Sequence, residues 1–201
     1  MQDADLALIF LFDGSASVTF ESFGLIASGT AAGLRDRDVA QALLGGPNGA
    51  FLGCLMLFSG STAQELLVEW TRVGTADELE AFTQSIEDVP RAVQAGTTAI
   101  GEALAACEAL LRTQPGRAAR QVIDVAGDGR NNEGRDCAPV RDRLVEAGVT
   151  INGLCVLHEE PDLVESYTNE VIGGAGAFAV QCADYSGFAV AMRQKLLQEV
   201  A

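Results

Sequence analysis

Hydrophobic positions along this chain fall into two alternating periods. Leu6 to Phe12 (LALIFLF) is apolar at every position, as expected of a strand buried on both faces in the middle of a sheet. Phe20 to Leu34 has helical character. The Gly-rich stretch Leu43 to Gly53, with Pro47-Asn48-Gly49, predicts a loop. Phe51 to Phe58 is a second buried strand, and Gly60-Ser61 turns the chain into Gln64 to Trp70, whose alternation predicts an antiparallel edge strand. Thr75-Ala76-Asp77-Glu78 is a capping box that opens a helix to about Glu87. Pro90 to Thr98 is a loop. Ile100, Leu104, Cys107 and Leu111 then share one helical face, ended by Pro115-Gly116.

The second half repeats the alternation. Val122 to Ala126 is a strand, and Pro139 suits the first turn of a helix ending at Gly148. Val149 to Leu157 is a strand, Leu163 to Val171 a short helix and Gly176 to Val180 a short last strand. Phe188, Met192, Leu196 and Val200 mark a final amphipathic helix. The order predicts one α/β domain over residues 1–201: three α/β/α layers around a mostly parallel, Rossmann-like sheet of about six strands, one of them an antiparallel edge.

Composition narrows the function. Thirteen Lys and Arg stand against 28 Asp and Glu, a net charge of −15. Such a surface repels phosphate backbones and anionic membranes, so nucleic acid is set aside as a partner. The longest apolar runs are far below the ~20 residues of a spanning helix, which argues against membrane insertion. The start Met1-Gln2-Asp3-Ala4-Asp5 is acidic and lacks a leader pattern. Of five cysteines, Cys54, Cys107 and Cys155 sit in apolar periodic stretches and read as buried. Cys137 and Cys182 fall in predicted loops, where a disulfide between them is one option.

Candidate chemistry gathers at predicted strand ends. The first strand stops at Asp13-Gly14-Ser15-Ala16-Ser17, where one carboxylate and two hydroxyls at alternate positions offer the hard oxygens that Mg²⁺, Mn²⁺ and Ca²⁺ prefer. Alone, this motif reads equally well as a helix cap. Thr98 precedes a helix start, and Asp128 follows the Val122 strand. In a doubly wound sheet these points meet where the winding reverses, so Asp13 and Asp128 stand together with Thr98 facing them. Two adjacent carboxylates repel unless a cation balances them.

Asp13-x-Ser15-x-Ser17, Thr98 within Gly96 to Gly101 (G-x-T-x-x-G), and Asp128-Gly129 together resemble the metal-ion-dependent adhesion site of von Willebrand factor A (VWA) domains. The stretches Val122 to Asn132, Ile151 to Leu154 and Val171 to Phe178 resemble a bacterial VWA subgroup of unknown function whose members are often exported. The resemblance implies that Ser15 and Ser17 ligate a cation (Mg²⁺, or Mn²⁺ or Ca²⁺) directly. Thr98, Asp13 and Asp128 would act directly or through water, leaving one position for a carboxylate from a protein or peptide partner. It also implies a non-enzymatic binding module in the periplasm or outside the cell, with the cytoplasm as the alternative. Two positions depart from the pattern: Ala16 stands where many members have Gly, and Gly127 where many have Ser or Thr. Losing that second hydroxyl would weaken or retune the site.

Other chemistries fit less well. An Asp-nucleophile phosphatase using Asp13 needs a second Asp where Ser15 stands. G-x-G-x-x-G after the first strand and a P-loop are both missing. A calcium loop at Asp128 is spoiled by Arg130 and Glu133. The one histidine, His158, offers no triad and no zinc site. Gly14, Arg130, Asn131, Asn132 and His158 form a candidate rim for partner contact, and Glu159-Glu160 reads as solvated loop. A metal-free structural α/β domain is the remaining alternative.

Overall fold

The computed structural model describes residues 3–200; Met1, Gln2 and Ala201 lie outside it, and with them the ends of the domain expected over 1–201. The elements run β1 (Ala4–Asp13), α1 (Phe20–Arg35), α2 (Arg37–Leu44), β2 (Phe51–Phe58), β3 (Gln64–Val73), α3 (Ala76–Glu87), α4 (Ile100–Leu111), β4 (Ala118–Gly127), α5 (Cys137–Glu146), β5 (Val149–Val156), α6 (Leu163–Ser166), β6 (Ala179–Cys182) and α7 (Phe188–Val200). A wide π-helical turn, Tyr167–Val171, continues α6.

Six strands form one sheet in the order β3-β2-β1-β4-β5-β6. Every neighbouring pair is parallel except β2 with β3. The pleat sorts the apolar run of β1 onto two cores. Leu6, Leu8, Phe10 and Phe12 pack with α1, α2, α3 and α7. Ile9 and Leu11 pack with α4, α5 and the Tyr167 turn. This double burial explains why β1 and β2 carry no polar alternation. In β2, a Cβ on Gly53 would lie 2.5 Å from the Phe82 ring, so this glycine makes room for α3 to sit close on the sheet.

Three local expectations differ from the structure. Helix α2 occupies residues the hydrophobic pattern did not mark, because its eight residues bury only Val39 and Leu43; Asp36 caps it through the amides of Asp38 and Val39. The last strand lies at Ala179–Cys182 rather than Gly176 to Val180, since Gly174 and Gly176 adopt positive φ and turn the chain before the edge. The disulfide left open between Cys137 and Cys182 does not form: both thiols are free, and Cys137 starts a helix instead of lying in a loop. Cys137 begins α5 in one core and Cys182 packs against the other, across the sheet. Cys54, Cys107 and Cys155 are buried as expected.

A buried ionic cluster ties α7 to the sheet. Lys195 contacts Asp124 of β4 and lies 3.4 Å from Glu199, which also accepts a 2.6 Å hydrogen bond from Asn152 of β5. Burial pushes the Asp124 carboxyl up to about 7, against the pull of Lys195 and with the push of Glu199. Removing Lys195 leaves the buried Asp124 carboxylate without its cation while Glu199 keeps Arg120 and Asn152, a change that costs about 3–5 kcal/mol. With a folded pKa above the unfolded one, Asp124 takes up a proton on folding, so its unfavourable contribution eases as pH falls below about 7. Lys195→Met is therefore expected to lower unfolding free energy by about 3–5 kcal/mol at pH 8 and by clearly less at pH 5. Urea titration at the two pH values checks this; an equal loss at both would contradict it.

Candidate functional site

The sheet winds one way from β1 to β2 and the other way from β4 to β5, so a crevice opens at the carboxyl ends of β1 and β4. Asp13 ends β1, and Asp128 follows the last residue of β4. Three loops meet above them. The amide of Ala16 donates to the Gly96 carbonyl at 2.9 Å, joining the loop after β1 to the loop before α4. Ala99 N donates to Ser59 O at 2.9 Å, fixing that second loop to the end of β2. Asn132 clasps Thr98 twice: its Oδ1 accepts from Thr98 N at 2.8 Å and its amide donates to Thr98 O at 2.9 Å.

The side chains the sequence singled out converge. Asp13 and Asp128 are fully buried, and Ser15 and Thr98 nearly so. Asp13 Oδ1 accepts the Ser15 amide at 2.7 Å. Ser15 Oγ and Ser17 Oγ are 3.2 Å apart, and Ser17 Oγ donates to Asp128 Oδ1 at 2.7 Å. Ser15, Ser17, Thr98 and Asp128 line one open cavity of about 270 Å³; Asp13 is not part of its lining and meets it through the Ser15 amide. Asp13 Oδ2 and Asp128 Oδ2 are buried without a hydrogen-bond partner. Burial pushes the Asp13 carboxyl up to about 7; the Ser15 amide opposes this and the charge of Asp128 adds to it. Among the described residues no cluster of three or more His, Cys, Asp or Glu side chains is set to hold a metal, so the oxygens on offer here are hydroxyls plus two carboxylates.

The rim differs from the sequence expectation in part. Gly14 is not on it: the residue is buried, and a Cβ there would lie 2.7 Å from Val93. Asn132 lines the cavity while also holding Thr98. The Asn131 carboxamide accepts from Gly101 N at 3.1 Å, which spends it on the start of α4. Arg130 pairs with Glu160 and Asp162. His158 reaches over the site, its Nε2 3.8 Å from Asp128 Oδ2 and 3.3 Å from Glu159 Oε1. Glu159 and Glu160 are cavity-lining residues rather than plain solvated loop.

Sequence reasoning missed Arg91. Its Nη2 donates to the carbonyls of Gly14 and Ser15, both at 2.9 Å, and its guanidinium lies 5.3 Å from the centre of the exposed Phe20 ring. A lone arginine in a loop carries no periodic signal, so only the fold reveals this clasp. It also missed Tyr167 and Tyr185, whose buried hydroxyls lack partners. Both phenols are held well above their usual range, first by burial and then by neighbouring charges that include Asp13 and Asp128.

A family model described as "protein of unknown function (DUF1194)" matches residues 3–201. The chain belongs to this family. No curated protein sequence matches it. Among solved structures, proximal thread matrix protein 1 from the mussel byssus superposes with a TM-score of 0.75 at 16% identity, covering 98% of this chain and 48% of that one. A second structure of that protein, described as having a zinc-occupied MIDAS motif, gives 0.70 at 16% identity over the same shares, 98% and 48%. The SpRpn10 VWA domain gives 0.63 at 16% identity, over 98% of this chain and 94% of that domain. At such identities the likeness establishes the fold, and the fold of this DUF1194 chain is that of a VWA domain. The chain spans about half the length of the byssus protein, 48%.

The Arg91 clasp gives a direct test. Arg91→Ala is expected to lower unfolding free energy by about 1.5–3 kcal/mol, the range for hydrogen bonds from a charged donor, because the Gly14 carbonyl loses its partner and the Ser15 carbonyl keeps only the Val18 amide at 3.2 Å. Chemical denaturation measures it, and a loss under about 0.5 kcal/mol would show the clasp to be idle.

Proposed function

We propose that this chain is a single VWA domain over residues 1–201 that binds a divalent cation and uses it to hold a protein or peptide partner, without catalysing a reaction. One observation carries the reading: two buried carboxylate oxygens, Asp13 Oδ2 and Asp128 Oδ2, have no partner where Ser15, Ser17 and Thr98 meet. The donor set is all oxygen and largely neutral, which suits Mg²⁺, Mn²⁺ or Ca²⁺. The byssus protein with zinc in its MIDAS motif supports a divalent ion in this fold.

In this reading Ser15 and Ser17 bind the ion directly, and Thr98, Asp13 and Asp128 bind it directly or through water. The cation supplies net positive charge that few anionic ligands cancel, and so attracts a carboxylate from the partner. Protein neighbours described as a pilus adhesin and an Rpn10 VWA domain support a protein ligand. The rim for that ligand comprises Asn132, His158, Glu159 and Glu160, with Arg130 behind them. Periplasmic or extracellular placement follows only from the resemblance to exported VWA proteins.

Melting the protein in EDTA and then with each cation tests the reading. At 100 times the dissociation constant, a bound ion adds about 2.7 kcal/mol of stability. Wild type should gain this and Asp13→Ala should not; a gain that survives in Asp13→Ala would place the ion elsewhere, and no gain in wild type would end the proposal. Turnover of a generic phosphoester that disappears in Asp13→Ala would favour a hydrolase instead. A pull-down from the source organism's lysate, with and without EDTA, then identifies the partner.

A further inference from the structure

Behind the two aspartates, the chain places a hydroxyl that nothing in the site has yet used. Tyr167 opens the π-helical turn after α6 and is 0% exposed, and its hydroxyl has no hydrogen-bond partner. Two glycines on adjacent strands admit it. On β5, a Cβ at Gly153 would lie 2.9 Å from Tyr167 Cδ1, so the ring rests against bare backbone. On β4, a Cβ at Gly127 would lie 3.0 Å from the Tyr167 hydroxyl, 3.0 Å from Asp13 Oδ2 and 3.0 Å from Asp13 Cβ. The space that a side chain at 127 would fill is therefore the space into which the phenol and the free Asp13 oxygen both point. A phenol hydroxyl can donate there, and Asp13 Oδ2 is a buried oxygen without a donor.

We propose that Tyr167 is a positioning residue for the cation site: its hydroxyl, admitted by Gly127, donates to Asp13 Oδ2 directly or across one water and aims that carboxylate toward Ser15 and Ser17. The inference rests on the cation reading above. Partners that orient a ligating carboxylate are worth a 10–100-fold change in metal affinity. The donation is made as the ion draws Asp13 into place; until then the hydroxyl has no partner, and a buried donor in that condition adds nothing to stability.

Calorimetric titration of the full chain with Mn²⁺, wild type against Tyr167→Phe, tests this together with melting of both proteins in EDTA. The expected result is about 10–100-fold weaker Mn²⁺ binding in Tyr167→Phe with an EDTA melting midpoint equal to or above that of wild type. Affinity within about twofold of wild type would overturn the proposal and leave the cation reading standing. Weaker binding accompanied by a lower EDTA midpoint would make Tyr167 a packing residue and overturn it too. Wild type that shows no saturable Mn²⁺ binding would bring down the cation reading, and this inference with it.

Discussion

Two carboxylates, buried side by side where the sheet reverses its winding, set the terms for the whole upper face of this protein. Strands β1 and β4 are hydrogen-bonded neighbours, with Phe12 opposite Ala126, so their ends cannot separate without tearing the centre of the sheet. Asp13 ends β1 and Asp128 follows β4, and both strands are buried over their last six residues. The cost of that placement shows in Asp13, whose carboxyl burial pushes up to about 7. Surrounding loops are arranged around this strain: Ser15 gives a backbone amide to one carboxylate and Ser17 a hydroxyl to the other.

The chain's own positive charges relieve it little: Arg91 draws the Asp13 carboxyl down, but as the weakest of the influences on it. Arg91, the nearest guanidinium on the β1 side, is spent on the carbonyls of Gly14 and Ser15. Arg130 is drawn outward by Glu160 and Asp162. Lys195 is buried far down the α7 face, paired with Asp124 and Glu199. Hydroxyls therefore surround the aspartates while cationic side chains are held away. In the proposed function that division makes sense, because a lysine or arginine paired with Asp13 would occupy the place of the ion.

Much of this was legible from residue pattern. The double-sided apolar runs gave the central parallel strands, and their order put Asp13, Thr98 and Asp128 at one sheet edge. What stayed hidden has physical reasons. Helix α2 buries two side chains in eight residues, too few for a period to register. Cys137 and Cys182 both looked loop-borne, but which face of the sheet each meets depends on tertiary placement. Gly14 lies inside the motif yet is buried by Val93, which arrives from a loop some eighty residues later. Arg91 donates to the backbone of a distant loop and Tyr167 rests against Gly153 on a distant strand, and neither leaves a spacing in the sequence.

In the proposed function, the acidic rim constrains a partner more tightly than the overall charge does. Glu159 and Glu160 line the same cavity as Ser15, Ser17, Thr98 and Asp128, so in the proposed function a partner carboxylate would pass two of its own kind before reaching the site. Together with a net charge of −15, this repels acidic surfaces over roughly a Debye length, about 8–10 Å at physiological salt. A cation held there as proposed would act on its ligand at contact and the rim at range, so the two would select on different features: one isolated Asp or Glu for the ion, neutral or basic surroundings for the rim. Arg130 adds to the second filter, since its pairing with Glu160 ties down one of the two rim carboxylates and leaves Glu159 with His158. A partner fitting both filters would bind more weakly as salt rises from low to physiological, because the rim attracts its basic surroundings at range while the bond at the ion is short-range and little screened. Binding that tightened over that interval would mean that the partner's surroundings are acidic and that the rim acts only as a barrier.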